Sequence, residues 1–452
     1  MAASSSPQAA VPVQPDAPPQ TGVHELPDHL LVKILGGLDV KERQSAALVC
    51  RRWNGCVHSP ELCADVALTI YTSISGADPW CAPPPEDLPS FAAWLQRHGQ
   101  HMRRLSLSAG SLNQHRQMMR QMAECWPAAV AAMPQLRQLH LEWGAGSLLG
   151  IGWLGQLAPS LRELALYANG YEQGLELASS LGGLTQLTKL MLAAGWVLVL
   201  NDREHLPTLT RLDTLVLGYQ STMPEDACLS TALGQLTFLE HDRLALPEWI
   251  AGLPKLQHLV LHSRWWDERF RTSTFVRQLD TGLPHLTGLT ALLLVDSGPL
   301  RGFVPAALAQ LPRLQRLCFL IYDGPLPLGP YSASLRVLGA SAKCMHRSTA
   351  LLASCDSLEH VAVLRGNCDR PGPLWQWAAQ HPPLRRLLAC HTPPPKPRSQ
   401  TSDSEDGEPV EPQVVTWLRE VRPELEVASN AYDSFLALFK WRDPFWDTTE
   451  VY

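Results

Sequence analysis

Histidine and cysteine are the residue types most able to form a metal or nucleophilic site, and the chain contains 16 and 11 of them. His98 and His101 have helical spacing, but no carboxylate or cysteine partner completes a metal-ligand set around them. The sequence contains no C-x-x-C pair, phosphate-binding glycine loop, nucleophile elbow, zinc-protease motif or dinucleotide fingerprint. We therefore expect no catalytic residue, no metal ion and no other cofactor, and we predict that the chain is not an enzyme.

The net charge and the distribution of apolar residues indicate in which cellular compartment the protein works and which classes of partner it binds. A formal net charge of −6 argues against nucleic acid or an anionic membrane as a partner. The odd number of cysteines favours reduced thiols over a disulfide scaffold. The first twenty residues lack the basic and apolar parts of a secretory signal, and no apolar run reaches the ~18–20 residues of a membrane span. We expect a protein of the cytoplasm, the nucleus or both.

The elements that would position any binding residue come from one repeated pattern, apolar-x-x-apolar-x-apolar. After a first copy, eleven further copies follow at a mean spacing of ~25 residues, within the range of leucine-rich repeats. A stack of such units can bury a continuous core that one unit alone cannot. The copies begin at Met102, Leu136, Leu161, Leu187, Leu212, Leu236, Leu256, Leu289, Leu314, Leu335, Leu358 and Leu384.

Side chains alternate in a strand, so the apolar residues at the fourth and sixth positions of each copy point to the same side. A leucine-rich helical array is the alternative, but the period-two alternation at every copy favours strands. The pattern resembles the leucine-rich-repeat family from about Met102 to Leu388. That resemblance implies an α/β fold, a curved solenoid with parallel strands on the concave side and helices or loops on the convex side. A short strand at Val66–Ile70 is expected to begin the stack.

A helical block precedes the repeats. Its second helical segment is predicted from Lys41 to Cys50, and Trp53 follows in a basic turn. Its first helix is predicted by apolar residues at helical spacing, which form one broad face: Leu30, Leu31, Ile34, Leu35 and Leu38.

This block resembles the F-box, a three-helix unit, at an ordered set of positions. F-box residues dock on the Skp adaptor of cullin–RING ubiquitin ligases, so the resemblance implies the adaptor and the cullin ligase core as partners. The chain departs from the family pattern at Arg43, Ala46 and Cys63. The expected adaptor-binding residues are Leu26, Pro27, Leu30, Leu31, Ile34, Leu35, Leu38, Val49, Cys50 and Trp53.

The residue between the two strand leucines of each copy faces away from the core, onto the concave surface. This column is apolar from Ala165 to Cys318 apart from Glu240, and we expect an exposed stripe that binds a protein substrate. The alternative is that parallel strands favour aliphatic residues for packing alone. A long insertion adds two tryptophans, which either bind a partner or anchor a loop. The expected substrate-binding residues are Met191, Val216, Val260, Leu293, Trp265 and Trp266.

The predicted organisation has five parts. They are a disordered segment at 1–22, the F-box at 23–64, a solenoid of about 12 repeats at 65–391, a disordered proline-rich and acidic insertion at 392–413, and a terminal repeat with an aromatic cap at 414–452.

Together these features predict a non-catalytic subunit that docks the Skp adaptor and holds a protein substrate close to activated ubiquitin. Two alternatives remain open from the sequence. One is a leucine-rich-repeat scaffold without a ubiquitin role, whose helical block only caps the solenoid. The other is a GTPase-activating solenoid, which would need a catalytic arginine on an exposed loop, such as Arg264, Arg269 or Arg271.

Overall fold

The computed structural model describes fourteen ranges of the chain and divides it into two compact units, Met1–Ala67 and Leu68–Tyr452. The described residues are 23–38, 40–70, 87–109, 124–143, 151–168, 181–194, 208–218, 228–241, 248–263, 279–296, 306–319, 324–364, 372–390 and 413–429. The predicted disordered segment 1–22 and the loop tryptophans Trp265 and Trp266 lie outside them. So do the residues after 429 and the predicted insertion, except that Gln413 begins a helix.

The first unit contains four α-helices after a 3-10 turn at Val23–Glu25, one helix more than predicted. They are α1 (Asp28–Gly36), α2 (Val40–Ala47), α3 (Arg51–Val57) and α4 (Pro60–Ala64). Extended Pro27 precedes α1, and the Sγ atom of Cys50 caps α3 by accepting from the backbone N–H of Trp53 at 3.5 Å. Trp53 therefore lies in a helix and not in the predicted turn, because the Cys50 cap starts α3 two residues earlier.

The core of this unit is small and takes one or two side chains from each helix. Ala46, where the F-box pattern has a larger aliphatic residue, is buried in it. Trp53 and Leu38 pack against its edge. The buried members are Leu31, Leu35, Ala46, Cys56, Val57 and Leu62.

The second unit is built on a sheet of fourteen strands whose spatial order equals their order in the chain. All twelve predicted copies form strands, β2 to β13, and the strand predicted at Val66–Ile70 is confirmed as β1, which crosses the division between the units. The strands are β1 (Asp65–Ile70), β2 (Arg104–Ala109), β3 (Gln138–Trp143), β4 (Glu163–Ala168), β5 (Lys189–Ala194), β6 (Thr214–Leu217), β7 (Phe238–His241), β8 (His258–Ser263), β9 (Ala291–Asp296), β10 (Arg316–Phe319), β11 (Val337–Ser341), β12 (His360–Leu364), β13 (Arg386–Cys390) and β14 (Glu426–Ser429).

Neighbouring strands from β2 to β14 pair in parallel, with equivalent repeat positions opposite one another. Leu139 lies opposite Leu164, and Leu164 opposite Leu190, so identical side chains form one core layer after another. These three leucines are fully buried. The predicted leucine-rich-repeat solenoid is confirmed by this register. At one core position the residue is a histidine: His241 lies between Leu217 and Leu261 and is buried there.

Short helices connect the strands. The α-helices whose two ends both lie in the described ranges include α5 (Asp87–His98), α6 (Cys228–Ala232), α7 (Ala342–Arg347), α8 (Thr349–Ser354), α9 (Pro373–Gln380) and α10 (Gln413–Val421). The 3-10 helices are Gly99–His101, Ile151–Leu157, Glu248–Gly252, Leu283–His285, Ala306–Gln310 and Pro330–Ala333. The segment before β14 is helical, and Val414, Val415 and Leu418 bury one face of α10.

A buried arginine joins the last repeat to the one before it. Arg422 follows α10, and its guanidinium donates to the carbonyl oxygens of Ala378 at 2.9 Å, His381 at 2.7 Å, Pro382 at 3.2 Å and Leu384 at 2.7 Å. The same group donates to the carboxylate of Glu424 at 2.7 Å. Backbone carbonyls at the end of α9 and in the following turn thus have a charged donor in place of water.

Candidate functional site

Exposed large apolar side chains are concentrated in the first unit. Seven such side chains occur in the described parts of the chain, and five of them lie between residues 23 and 49. Single exposed apolar residues are ordinary, whereas five within 27 residues are an unusual local concentration. We call these five residues the exposed apolar set: Val23, Leu30, Ile34, Leu48 and Val49.

The two faces of α1 separate the predicted adaptor-binding residues into two groups. Leu31 and Leu35 are 0% and 1% exposed and belong to the core of the unit, whereas Leu30 and Ile34 are 40% and 56% exposed. Leu30 and Ile34 are four residues apart, so they are neighbours on one side of the helix. Among the ten predicted residues, therefore, Leu31 and Leu35 support the fold and Leu30 and Ile34 are available to a partner.

The remaining predicted residues divide in the same way. Pro27 and Val49 are exposed, and Val49 follows α2 together with Leu48, the most exposed apolar residue of the set at 88%. Leu48 and Val23 were not among the predicted binding residues. The adjacent apolar pair at the end of a polar helix was the signal that could have identified Leu48. The half-buried residues among the ten predicted adaptor-binding residues are Leu26, Leu38, Cys50 and Trp53.

Two arginines hold the ends of α1. Arg43 in α2 donates through Nε to the carbonyl oxygens of Leu35 at 3.1 Å and Leu38 at 2.8 Å, through Nη2 to Gly36 at 3.1 Å, and through Nη1 to Leu62 in α4 at 3.2 Å. Arg43, a departure from the F-box pattern, is therefore a helix-end ligand in this chain. A charged residue at a position that is usually aliphatic was the only sign of that role in the sequence.

The other arginine acts at the beginning of α1. Arg52 in α3 pairs with Asp28, with 2.7 Å between Nε and Oδ1, and its Nη2 donates to the carbonyl oxygen of Leu26. Asp28 lies in the first turn, where a carboxylate also interacts favourably with the helix dipole. The Asp28 side chain is 72% exposed, so the ion pair orients the first turn of α1 more than it adds to stability.

Two cysteines of the first unit, Cys56 and Cys63, are buried and not reactive. Burial raises the pKa of Cys63, although nearby Arg43 acts in the opposite direction. Burial also raises the pKa of Cys56. A thiol with a raised pKa carries little thiolate at neutral pH, so neither cysteine has the character of a nucleophile.

The residues predicted to form one column are aligned across the strands as expected, but they are not exposed. Pairing places Ala165, Met191 and Val216 side by side, and then Val260 beside Leu293. The expected exposed stripe is wrong, because Met191, Val216, Val260 and Leu293 are 8%, 4%, 2% and 4% exposed. Side chains on strands ~4.8 Å apart cover one another along the column. Their role in substrate binding stays a prediction.

The column divides into two apolar clusters. The first contains Ala165, Met191 and Val216, and half-buried Glu240 separates it from the second. Phe238, two residues before Glu240 on β7, packs against both clusters. The second cluster contains Val260, Leu293, Cys318, Val337, Ala362, Leu364 and Leu388.

The neighbouring column, one residue before the first core leucine of each strand, is mostly polar, and most of its residues are more open to solvent. Lys189 pairs with Glu163 at 3.2 Å, and Arg386 pairs with Glu426 at 2.9 Å. The ring of His258 lies 6.0 Å from that of Phe238. Because both columns are on the same side of the sheet, the groups that a partner would meet first are polar.

Histidines on this side of the sheet are predominantly neutral at pH 7. Burial lowers the pKa of His140 to about 4, against a smaller opposing effect of Glu163. Burial also lowers the pKa of His258, helped by the positive charge of Arg316. Within the described ranges, no three or more His, Cys, Asp or Glu side chains are placed to hold a metal ion. No helix in those ranges has the length and apolar character needed to cross a membrane.

Comparison with known proteins identifies the first unit more specifically than the second. The F-box-like family model matches residues 23–69. No curated protein matches the chain.

Three solved structures with similar backbones are an internalin of Listeria monocytogenes, a leucine-rich-repeat protein of Leptospira interrogans, and the yeast complex of Rad7 and Elc1. Their identities are 14%, 14% and 15%, and their TM-scores are 0.37, 0.36 and 0.41. The matches cover 75%, 83% and 90% of this chain and 88%, 98% and 93% of theirs. At such values they add nothing to the strand pairing, which by itself defines the repeat fold.

Proposed function

We propose that this chain is a non-catalytic subunit of a cullin–RING ubiquitin ligase, which binds a Skp adaptor through its F-box-like unit and a protein substrate through its solenoid. Catalysis would belong to the other subunits. This chain would contribute proximity, since holding a substrate near activated ubiquitin raises its effective concentration.

The observation that carries the proposal is the exposed apolar set within the segment that matches the F-box-like family. If the helical block served only to cap the solenoid, α1 would need only one apolar face. Leu31 and Leu35 already form such a face, which is buried in the core of the first unit. Leu30, Ile34, Leu48 and Val49 are additional to that core. Exposing them to water without a partner is unfavourable at about 25 cal/mol per Å² of apolar surface. A protein that covers them accounts for their presence.

The substrate would meet the polar column of the solenoid first. Lys189, His258 and Arg386 are half-buried and lie beside the two apolar clusters. The buried column would then act by fixing the positions of the polar side chains, and not by direct contact.

The proposed function also implies a cellular compartment. Seven cysteines in the described ranges are free thiols, as is usual in reducing compartments. We place the proposed activity in the cytoplasm or the nucleus.

The test is direct binding of recombinant Skp adaptor to the full chain and to Ile34→Asp. The wild type should bind, and the variant should not, because a carboxylate at a covered apolar contact would lose its hydration without a partner. Val421→Asp is the matched control, since Val421 is similarly exposed at 50% but lies in the second unit. Adaptor binding by Val421→Asp should equal that of the wild type.

Two results would reject the proposal. A wild-type chain that does not bind the adaptor would favour the scaffold without a ubiquitin role. Equal adaptor binding by wild type and Ile34→Asp would remove the exposed apolar set from the interface.

A further inference from the structure

Helix α1 is too short to be stable by itself, although it carries Leu30 and Ile34. It has nine residues, fewer than the ~12–15 at which an isolated helix is even marginal in water. Gly36, its last residue, lowers its helix propensity by up to about 1 kcal/mol relative to alanine. The order of this helix therefore depends on contacts from outside it.

Arg43 supplies those contacts at the end where the helix is weakest. The last carbonyl groups of a helix have no hydrogen-bond donor within the helix. The Arg43 guanidinium donates to the carbonyl oxygens of Leu35 and Gly36 at this end of α1, and to that of Leu38 just beyond it. The same guanidinium binds the carbonyl oxygen of Leu62, which ties α1 to α4. Arginine suits this role because its planar group carries five donors in fixed directions.

We infer that Arg43 is a positioning residue for adaptor docking: it holds the last turn of α1 in the form that presents Leu30 and Ile34. The inference rests on the proposed function. If α1 is ordered in only a fraction of the molecules, the apparent Kd for the adaptor rises by the inverse of that fraction. Loss of Arg43 would then weaken adaptor binding although Arg43 itself does not touch the adaptor.

The experiment measures adaptor affinity and backbone order in the same full-length variants. Hydrogen exchange reports order at the amides of Gly37 and Leu38, which donate to Ile34 at 3.1 Å and Leu35 at 3.2 Å. In Arg43→Met we expect these amides to lose most of their protection and the adaptor Kd to rise about tenfold. The amide of Asn54 in α3, which donates to Cys50 at 3.0 Å, should stay protected and so show that the unit is folded.

Two further variants separate positioning from charge and from loss of folding. Arg97→Met removes one exposed arginine from the second unit and should change neither Kd nor exchange. Arg43→Lys keeps the charge but cannot satisfy the same set of carbonyl groups, so we expect intermediate values of both. If Arg43→Met does not fold, the Arg43→Lys variant tests the same correlation.

A rescue variant distinguishes positioning from direct contact. A methyl group at Gly36 would meet the Cδ2 atom of Leu62 at 3.5 Å, an ordinary packing distance. Gly36→Ala raises the helix propensity of α1 without restoring a guanidinium. In the Arg43→Met background it should recover part of both the amide protection and the adaptor affinity.

The outcomes are distinguishable. A wild-type chain that fails to bind the adaptor overturns the proposed function and this inference together. Wild-type binding with an unchanged Kd in Arg43→Met overturns the inference alone. So does a weaker Kd with unchanged amide protection, or a Gly36→Ala rescue that restores protection without restoring affinity.

Discussion

Ile34 and Leu35 are adjacent on α1, yet their side chains face opposite environments. Ile34 is 56% exposed and Leu35 is 1% exposed. Both are aliphatic, so their local chemistry does not distinguish them. The difference arises because α1 packs only one side against the core that contains Ala46, Val57 and Leu62.

The first prediction separates these two roles. Leu35→Ala should destabilise the first unit by about 2–5 kcal/mol, because it leaves a cavity in a small core. Ile34→Ala should change stability by less than about 0.5 kcal/mol but should weaken adaptor binding. Chemical unfolding and adaptor titration of both variants check this. An equal loss of stability in the two variants would contradict the observed orientation of α1.

Arg422 gives a prediction for the end of the solenoid. Arg422→Met should lower the free energy of unfolding by about 3 kcal/mol, because buried carbonyl groups of Ala378 and Leu384 lose their donor. Arg385→Met is the matched control, since Arg385 is exposed and should contribute within about 0.5 kcal/mol. Urea unfolding compares them. Equal midpoints for the two variants would show that Arg422 does not hold the last repeats together.

Because the column is buried, charged substitutions in it should lower the stability of the protein. Val216→Lys and Val260→Lys each place an ammonium group in an apolar cluster, so we expect a loss of stability of about 2 kcal/mol or more. A selective loss of substrate binding, as expected for an exposed stripe, should not occur. Thermal unfolding of each variant decides this. Wild-type stability in both would mean that the column is open to solvent.

The histidines predict a direction for the pH dependence of stability. The pKa of His140 in the folded state, about 4, is below its ordinary value of 6.5. The unfolded chain therefore binds more protons between these values, and stability falls as the pH drops from 6.5 towards 4. The lowered pKa values of His258, His360 and His381 act in the same direction.

The variant His140→Gln tests this contribution. The difference in unfolding free energy between pH 7 and pH 5 should be smaller in His140→Gln than in the wild type. Exposed His285→Gln should keep the wild-type difference. Denaturant titrations at both pH values provide the measurement. A steeper loss of stability in acid for His140→Gln would reverse the assigned sign.

The repeat fold was predictable because its signal is local and recurs. Each copy encodes a strand by period-two alternation, and twelve copies predicted β2 to β13. Even the weakest copy, with His241 at a core position, folds as a strand because the strands on both sides fix its register. The helix of the last repeat was not predicted, because only one group of helically spaced apolar residues, Val414, Val415 and Leu418, marks it.

The sequence by itself determined the two-part architecture and the positions of the F-box-like segment and of the leucine core, because periodicity fixes which residues share a side. Only the tertiary structure decided which of those residues water reaches. It buried Met191 and Val216, left Leu48 exposed, and directed Arg43 to the end of α1. Exposure and hydrogen bonding depend on neighbours distant in the chain, and no local pattern of residue types records them.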